Sequence, residues 1–421
     1  MKKLFLSLLA LSLNSAIVAQ TDPPELSSWL RNTTGVTGYN GIHANVDSVQ
    51  FSANNVYVRC SGIPEYNIGP WPDGNPNVPA NQHYLFRIPR LPQENTGAKT
   101  NTPLGHIGAW RNGVPVYNPL DARSYNNQNI WHQNAVVVEA RGFDSCLGHP
   151  AQRGRYHHHQ NPRCLYGEDS TKHSPILGYA FDGFPIYGPH GYANANGSGG
   201  VKRMQSSYRL RNITQRHTLP NGTTLTPNQY GPDVSATYPL GYYVEDFEHV
   251  VNLGDLNAHN GRFAVTPEYP NGSYAYYVTI DANGNSAYPY VIGPQYYGIV
   301  ATDNFGNGQV TINEPVQTYR GPTTGVDETV HEKPATFTLL QNYPNPFNPS
   351  TTIRFSLPQR EHVTLKIFDI NGREVATLVN ANLEAGSHDV TFAPRSATSG
   401  LYFYRLTTGG FTQTRKLVLM Q

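Results

Sequence analysis

The abundance of glycine and proline is the feature that most restricts how this 421-residue chain can fold. The chain has 39 glycines and 33 prolines, and both residue types interrupt helices, glycine through its backbone freedom and proline through its missing N–H. No window of eleven or more residues shows the i, i+3, i+4, i+7 apolar spacing of an amphipathic helix. Short alternating runs recur instead, at residues 56–58, 135–138 and 274–280, and they predict strands. The chain is therefore predicted to be mainly β and rich in loops, without long helices.

Residues 1–19 have the pattern of an export signal. Lys2 and Lys3 give a positive start, residues 4–13 are apolar, and residues 16–19 form a small-residue cleavage site. The apolar run is about half as long as a transmembrane helix requires, and no later run is longer. Without the two lysines, 28 of the 30 basic residues remain against 29 acidic ones, a balance that argues against a nucleic-acid partner, which would require a strongly basic face.

The chain is long enough for at least two domains, since roughly 400 residues exceed one compact core. Residues 20–314 are predicted to form a large loop-rich β domain with its core at about 50–300. Residues 315–336 are polar and without periodicity, which is typical of a linker. Residues 337–421 are predicted to form a small Ig-like β-sandwich, with strands at residues 351–357, 363–368, 374–379, 386–392, 400–406 and 413–419.

The three cysteines indicate an oxidising compartment, where one disulfide can form and one thiol is left over. Cys146 and Cys164 bracket a histidine-rich run, and closing their loop would contribute roughly 3 kcal/mol by restricting the unfolded chain. This pairing is the favoured one. A pairing through Cys60 stays open.

The histidine-rich run, Tyr156 to His159, is the segment of the chain where a reactive or metal-binding site is most expected. If it is a strand, His157 and His159 point to one face about 6–7 Å apart, while Tyr156 and His158 point to the other. Such spacing suits two imidazoles on one metal ion. With a third histidine, a zinc or copper ion would keep an open position for water.

Candidates for the third ligand are His149 and His173, and the carboxylates of Asp144 and Asp182 are further candidates. Asp182 lies amid aromatic residues that would raise its pKa, so it could serve as a general acid or base, with Tyr187 lining the site. Two alternatives remain. The histidines could pack among the tyrosines without metal, and Asp182 could belong to an Asp-Gly turn and bind local backbone amides.

The tail closely resembles the C-terminal sorting domain of the type IX secretion system. The resemblance is carried by Gln-Asn-Tyr-Pro-Asn-Pro-Phe-Asn-Pro at 341–349, Asp-Ile-Asn-Gly-Arg at 369–373, Ser-Gly-Leu-Tyr at 399–402, and a basic pair at 415–416. It implies a Gram-negative bacterium of the Bacteroidetes type. It also implies that the type IX machinery recognises residues 337–421, and that the protein is secreted or held at the outer-membrane surface.

The larger domain resembles the YHYH domain family over about residues 50–300. The matching stretches are residues 112–116, 131–132, 148–150, 154–159, 164–165, 173–189, 207–210, 243–247, 260–272 and 288–294. One position departs from the family motif, because its third residue is tyrosine and the chain has His158. The two histidines that share a strand face are retained. The resemblance implies no reaction, since the family is defined by its motif.

Two classes of function follow from these patterns. In the first, the protein is a secreted metal-binding protein or metal-dependent hydrolase of an extracellular polymer. In the second, it is a non-enzymatic surface module that recognises glycans or proteins, with histidines that only pack.

Overall fold

The computed structural model describes residues 22–306, 310–321, 337–342, 345–383, 385–394 and 397–420. The chain divides into two compact units, Met1–Pro322 and Thr323–Gln421. Both are mainly β, as predicted, and the two α-helices of the described residues have four residues each. Neither is long and apolar enough to cross a membrane. The predicted export signal lies outside the described residues.

The first unit contains eighteen strands and two short helices among its described residues. In chain order they are α1 (Pro24–Ser27), β1 (Val46–Phe51), β2 (Asn55–Cys60), β3 (Tyr84–Pro89), β4 (His106–Trp110), β5 (Pro115–Tyr117), β6 (Leu120–Ser124), β7 (His132–Asn134), α2 (Ala135–Val138), β8 (His149–Ala151), β9 (Arg155–His157), β10 (Ile176–Ala180), β11 (Pro185–Tyr187), β12 (His190–Tyr192), β13 (Val201–Arg203), β14 (Tyr208–Leu210), β15 (Phe247–His249), β16 (Gly261–Ala264), β17 (Ser273–Tyr277) and β18 (Gln317–Thr318). The helices contribute little to the architecture.

A six-stranded sheet, in the order β16-β17-β11-β10-β4-β5, forms the centre of this unit. Every residue of β4, β10 and β11 is buried, because both faces of the sheet are covered. One face packs against a second sheet, β18-β1-β2-β3, through residues such as Tyr179 and Val58. The other face carries a second apolar cluster that includes Trp110 and Tyr276. Burial on both faces explains why these strands read as continuous apolar runs.

Two local expectations differ from the structure. Residues 135–138 form helix α2 rather than a strand, because the Asn134 side chain accepts a hydrogen bond from the Val136 N–H and caps a helical turn. The segment predicted as a linker from residue 315 begins inside the first unit, where β18 pairs with β1 and Tyr319 is buried. Residues 322–336 lie outside the described residues.

The second unit contains seven strands among its described residues: β19 (Thr338–Leu339), β20 (Thr351–Leu357), β21 (Glu361–Phe368), β22 (Glu374–Leu383), β23 (Gly386–Phe392), β24 (Gly400–Thr407) and β25 (Thr412–Leu419). They form two sheets, β19-β20-β23 and β22-β21-β24-β25, which share one apolar core. All six strands predicted in this region are confirmed, and in β20 buried residues alternate with half-buried ones.

A fully buried ion pair fixes the irregular region between β14 and β15. Arg216 donates from Nε and one terminal nitrogen to both carboxylate oxygens of Asp246, at 2.7 and 2.8 Å, and both side chains are completely buried. The remaining N–H groups of Arg216 donate to the backbone carbonyls of Pro232, Tyr238 and Pro239. Removing either side chain would therefore leave the other as a buried charge without a counter-charge.

We expect Arg216→Met to lower the free energy of unfolding of the first unit by about 3–5 kcal/mol, because it leaves a buried carboxylate without its cation. The matched control is Arg209→Met, which breaks the exposed pair with Glu248 and should cost less than about 1 kcal/mol. Urea unfolding followed by tryptophan fluorescence measures this unit alone, because all four tryptophans precede residue 132. Equal losses in the two variants would contradict the assignment.

Candidate metal centre

The hairpin of β8 and β9 places two histidines side by side. His149 pairs directly with His157 in the antiparallel register, and opposed residues of such a pair point to the same face. His159 lies two residues after His157 and therefore faces the same way. The chain beyond β9 is held against β5, because the Tyr117 N–H donates to the His158 carbonyl at 2.9 Å. Strand register thus assembles three imidazoles on one face.

The three imidazoles converge through their Nε2 atoms. The Nε2 of His157 lies 3.1 Å from that of His149 and 3.0 Å from that of His159. All three ligand atoms lie within 4.8 Å of one another, and the three residues are at most 5 % exposed. The structure thereby confirms the shared face of His157 and His159 and brings His149 to it as the third member. We call these residues the histidine triad.

Backbone carbonyls determine which nitrogen of two triad rings carries the proton. The Nδ1 of His157 lies 3.0 Å from the carbonyl oxygen of Arg155, and the Nδ1 of His159 lies 2.5 Å from that of Asn118. A carbonyl oxygen only accepts, so both Nδ1 atoms must be N–H donors. In the neutral rings, both Nε2 atoms then present lone pairs to each other.

The triad is neutral at physiological pH. Burial is the largest cause that lowers the pKa of His149 to about 4 and that of His159 to about 3. The pKa of His157 is well below its ordinary value for the same reason, and the neighbouring imidazoles lower it further. Protonation therefore does not relieve the contact between the lone pairs of His157 and His159.

Glu139 borders the triad on its more open side. Its Oε2 lies 3.5 Å from Nε2 of His149 and 3.4 Å from Nε2 of His159. This oxygen is buried and has no hydrogen-bond partner among the described residues, although the side chain as a whole is 29 % exposed. Burial, followed by the negative charges of Asp121 and Asp73, raises the pKa of Glu139 to about 8. A carboxyl group that binds its proton more tightly than usual therefore lies beside a neutral imidazole cluster.

Aromatic rings close the other sides of the triad. Tyr117 stacks on His157 with ring centres 3.8 Å apart and meets His159 edge-on. Phe143 meets His149 edge-on. Glu139, Tyr117 and Asn118 were all missed in the sequence analysis. Glu139 follows a segment that reads as a strand, and a backbone carbonyl such as that of Asn118 leaves no trace in a residue pattern.

The opposite face of the hairpin is structural. His158 contacts Tyr156 as predicted, and the Tyr156 hydroxyl donates to Asp144. The Asp144 carboxylate also accepts backbone N–H groups from Cys146, Gly148 and Gly69. Asp144 therefore serves as a loop anchor and is not part of the triad.

Covalent closure holds the same loop. Cys146 and Cys164 form a disulfide, which confirms the favoured pairing. Cys60 is free and buried, and its thiol donates to the carbonyl of Gly113.

The other three candidate residues lie away from the triad. His173 packs among Tyr187, Tyr192 and Tyr277, so the structure does not bring it to the triad as a third ligand. The Tyr187 hydroxyl is hydrogen-bonded to Thr266 and Glu268. Among the described residues, neither His173 nor Tyr187 has a hydrogen bond or ring contact with the triad.

Asp182 is a fully buried turn residue. Its Oδ2 accepts from the Tyr276 hydroxyl at 2.5 Å and from the Gly298 N–H at 2.9 Å, and its Oδ1 accepts from the Phe184 N–H. Burial raises the pKa of Asp182 to about 6, although these three donors partly offset the effect. The arrangement matches the alternative in which Asp182 binds backbone amides in an Asp-Gly turn.

Two protein families match the chain. Residues 85–288 match the family described as YHYH protein, and residues 341–420 match the secretion system C-terminal sorting domain. No curated protein and no solved structure matches. The architecture is thus that of an exported β protein with a sorting tail. The chain carries a YHYH domain followed by a type IX sorting domain.

The sorting domain places the protein outside the cell or on the outer-membrane surface. It also makes the type IX secretion machinery a partner of the tail. The histidine triad lies within the part of the chain that matches the YHYH family.

We expect Asp182→Asn to lower the free energy of unfolding by about 1–3 kcal/mol, because the amide NH2 would face one of the hydrogen-bond donors. The difference in free energy of unfolding between wild type and Asp182→Asn should depend on pH. A carboxyl group whose pKa rises from 3.8 to about 6 on folding binds an extra proton in the folded state, so its stabilising contribution is full below pH 4 and falls as pH rises through 6. Wild type should therefore lose more of its advantage over the variant between pH 4 and 7 in urea unfolding.

Metal content, measured on the same preparations, should be the same in Asp182→Asn and in wild type. If Asp182→Asn is as stable as wild type but loses bound metal, Asp182 belongs to the metal site and its purely structural role is wrong.

Proposed function

We propose that the YHYH domain of this secreted protein binds a divalent zinc or copper ion through His149, His157 and His159. The observation that carries the proposal is the convergence of the three Nε2 atoms, two of which are held unprotonated by backbone carbonyls. In a tetrahedral site with Zn–N bonds of 2.0–2.1 Å, ligand nitrogens lie on the order of 3.3 Å apart. The spacings of 3.0 and 3.1 Å are close to that value.

The packing-only alternative is less consistent with these contacts. Histidines that merely pack direct an N–H of one ring toward an acceptor of another group. Here His157 and His159 donate from Nδ1 and bring two lone pairs together, which is unfavourable unless a cation lies between them. His149 has no carbonyl at Nδ1 among the described contacts, so this ring can turn its lone pair toward the same point.

The electrostatics favour a cation as well. Asp73 and Asp121 lie close enough to Glu139 to raise its pKa, so negative charge gathers beside the triad, while burial keeps the imidazoles neutral and able to bind a metal. The unpartnered Oε2 of Glu139 approaches two triad nitrogens. A bound dication would stabilise the ionised form of Glu139 and lower its pKa from about 8.

The arrangement suits hydrolytic chemistry in particular. A metal held by three histidines keeps a position for water and lowers the pKa of that water. Glu139 lies beside the triad at its most exposed edge, where its carboxylate can accept a proton from such a water. We therefore propose hydrolysis of an extracellular polymer as the reaction class.

The proposal is tested by metal analysis of protein purified without a metal-affinity tag. Wild type should contain zinc or copper near one equivalent per chain. His157→Gln and His159→Gln should weaken binding by more than about 100-fold, because loss of a residue that only orients a ligand already costs about 10–100-fold. The matched control is His43→Gln, a surface histidine paired with Asp47, which should keep full metal content.

Folding is monitored separately by tryptophan fluorescence. Normal folding with no metal in wild type after exposure to both ions would exclude the proposed centre. Loss of folding in both triad variants, without any metal-dependent stabilisation of wild type, would favour the packing role.

A further inference from the structure

A cationic pocket lies close to the triad in the first unit. Its volume is about 600 Å³, and three arginines, Arg59, Arg153 and Arg155, line it. Its described lining contains no aspartate or glutamate. A concentration of positive charge without carboxylates attracts an anion.

The three guanidinium groups are available for a ligand. None of them forms an ion pair with another described residue. Arg155 donates from Nε to the carbonyl of Gln152, and its terminal N–H groups remain for a ligand. Guanidinium N–H groups form a planar fork that matches the oxygens of carboxylate, sulfate or phosphate.

Two buried polar atoms in the pocket lack hydrogen-bond partners. The Nε2 of His106 and the hydroxyl of Tyr84 are both unpartnered among the described residues, and both residues line the pocket. His106 is only 5 % exposed. Both atoms are shielded from solvent, so a side-chain rotation would be needed before either donates a hydrogen bond to an anionic oxygen.

The tip of the β8–β9 hairpin positions two of the arginines. The Gln82 side-chain amide donates to the carbonyl of Arg153, and the Ala80 N–H donates to that of Gly154. Arg153 itself has a φ of 64°, a left-handed conformation that non-glycine residues rarely adopt. Such strain is retained where the surroundings hold it and where it serves a site. The side chains of Arg153 and Arg155 thus extend from a fixed turn.

We propose that this pocket binds an organic molecule through a sulfate, phosphate or carboxylate group. The arginines would contact the charged oxygens, and His106 and Tyr84 would donate from the pocket wall once their rings have turned toward the ligand. Its volume lies in the range of small-molecule sites, about 300–1,000 Å³, so it holds more than a bare inorganic anion.

The pocket adjoins the triad through a single ring. Tyr117 contacts His106 with ring centres 5.2 Å apart and stacks on His157 on its other side. Arg155 also lies two residues before His157 on β9. The inference itself does not depend on a bound metal, since none of the arginines belongs to the triad.

Isothermal titration calorimetry at low salt tests the proposal with glucose 6-phosphate, glucose 6-sulfate, glucuronate and uncharged glucose. At least one anionic sugar should bind to the full-length protein, and glucose should not. The anion that binds most tightly identifies the charged group. Raising the salt concentration should weaken binding, because ions screen the partly exposed arginines.

Variants identify the residues responsible. Arg155→Gln and Arg59→Gln should each weaken binding of the anion by about tenfold or more, since each removes a charge-assisted hydrogen bond. The matched control is Arg209→Gln, which lies outside the pocket lining and should bind as wild type does. If Arg155→Gln fails to fold, Arg59→Gln decides the result, because its side chain is exposed.

The proposal would be overturned if no anionic sugar binds, if glucose binds equally well, or if the pocket variants match the Arg209→Gln control. Wild-type protein treated with a metal chelator should bind the anion as untreated protein does. This result separates the two sites, since a failed metal centre would leave anion binding intact.

Discussion

Two backbone carbonyls, those of Arg155 and Asn118, bind the Nδ1 atoms of His157 and His159 and thereby turn both Nε2 lone pairs toward the same point. Without these hydrogen bonds either ring could present an N–H at Nε2, and the pair could satisfy itself. Because both rings are buried, water cannot take over that role. The proposed metal binding by the YHYH domain depends on this constraint.

The rest of the hairpin serves to keep that constraint in place. Pairing of β8 with β9 brings His149 opposite His157, and the contact of the following residues with β5 positions Asn118 next to His159. On the reverse side, Asp144 binds the loop through backbone amides and Tyr156, and the Cys146–Cys164 disulfide closes it. The pattern divides the hairpin into a chemical face and a structural face.

How far the sequence predicts this site depends on the range of each interaction. Strand alternation is local, so it paired His157 with His159 and assigned His158 to the other face. The choice between His149 and His173 required strand register across a turn, which residue spacing does not determine. Glu139 was not predicted as a site residue, because the three valines before it are typical of a strand. The Asn134 cap instead makes this segment a helical turn. Each long strand of the tail was predicted, because apolar and polar residues alternate regularly there. The apolar core of the tail also consists only of residues from the tail itself.

The two proposed sites share one structural element, the Tyr117 ring between His106 and His157. A charged group held by the arginines would lie near the proposed metal, and an anionic substituent could thereby position a substrate for attack at the triad. Secretion by the type IX system brings such a site into contact with extracellular material.

The central claim concerns the protonation of two nitrogens, and long-range ¹H–¹⁵N correlation spectroscopy of histidine side chains measures it directly in metal-free protein at pH 7. We expect His157 and His159 to carry their protons on Nδ1, their Nε2 atoms to be unprotonated, and both Nε2 resonances to shift when zinc is added. Protons on Nε2 of both rings, or doubly protonated rings, would contradict this expectation.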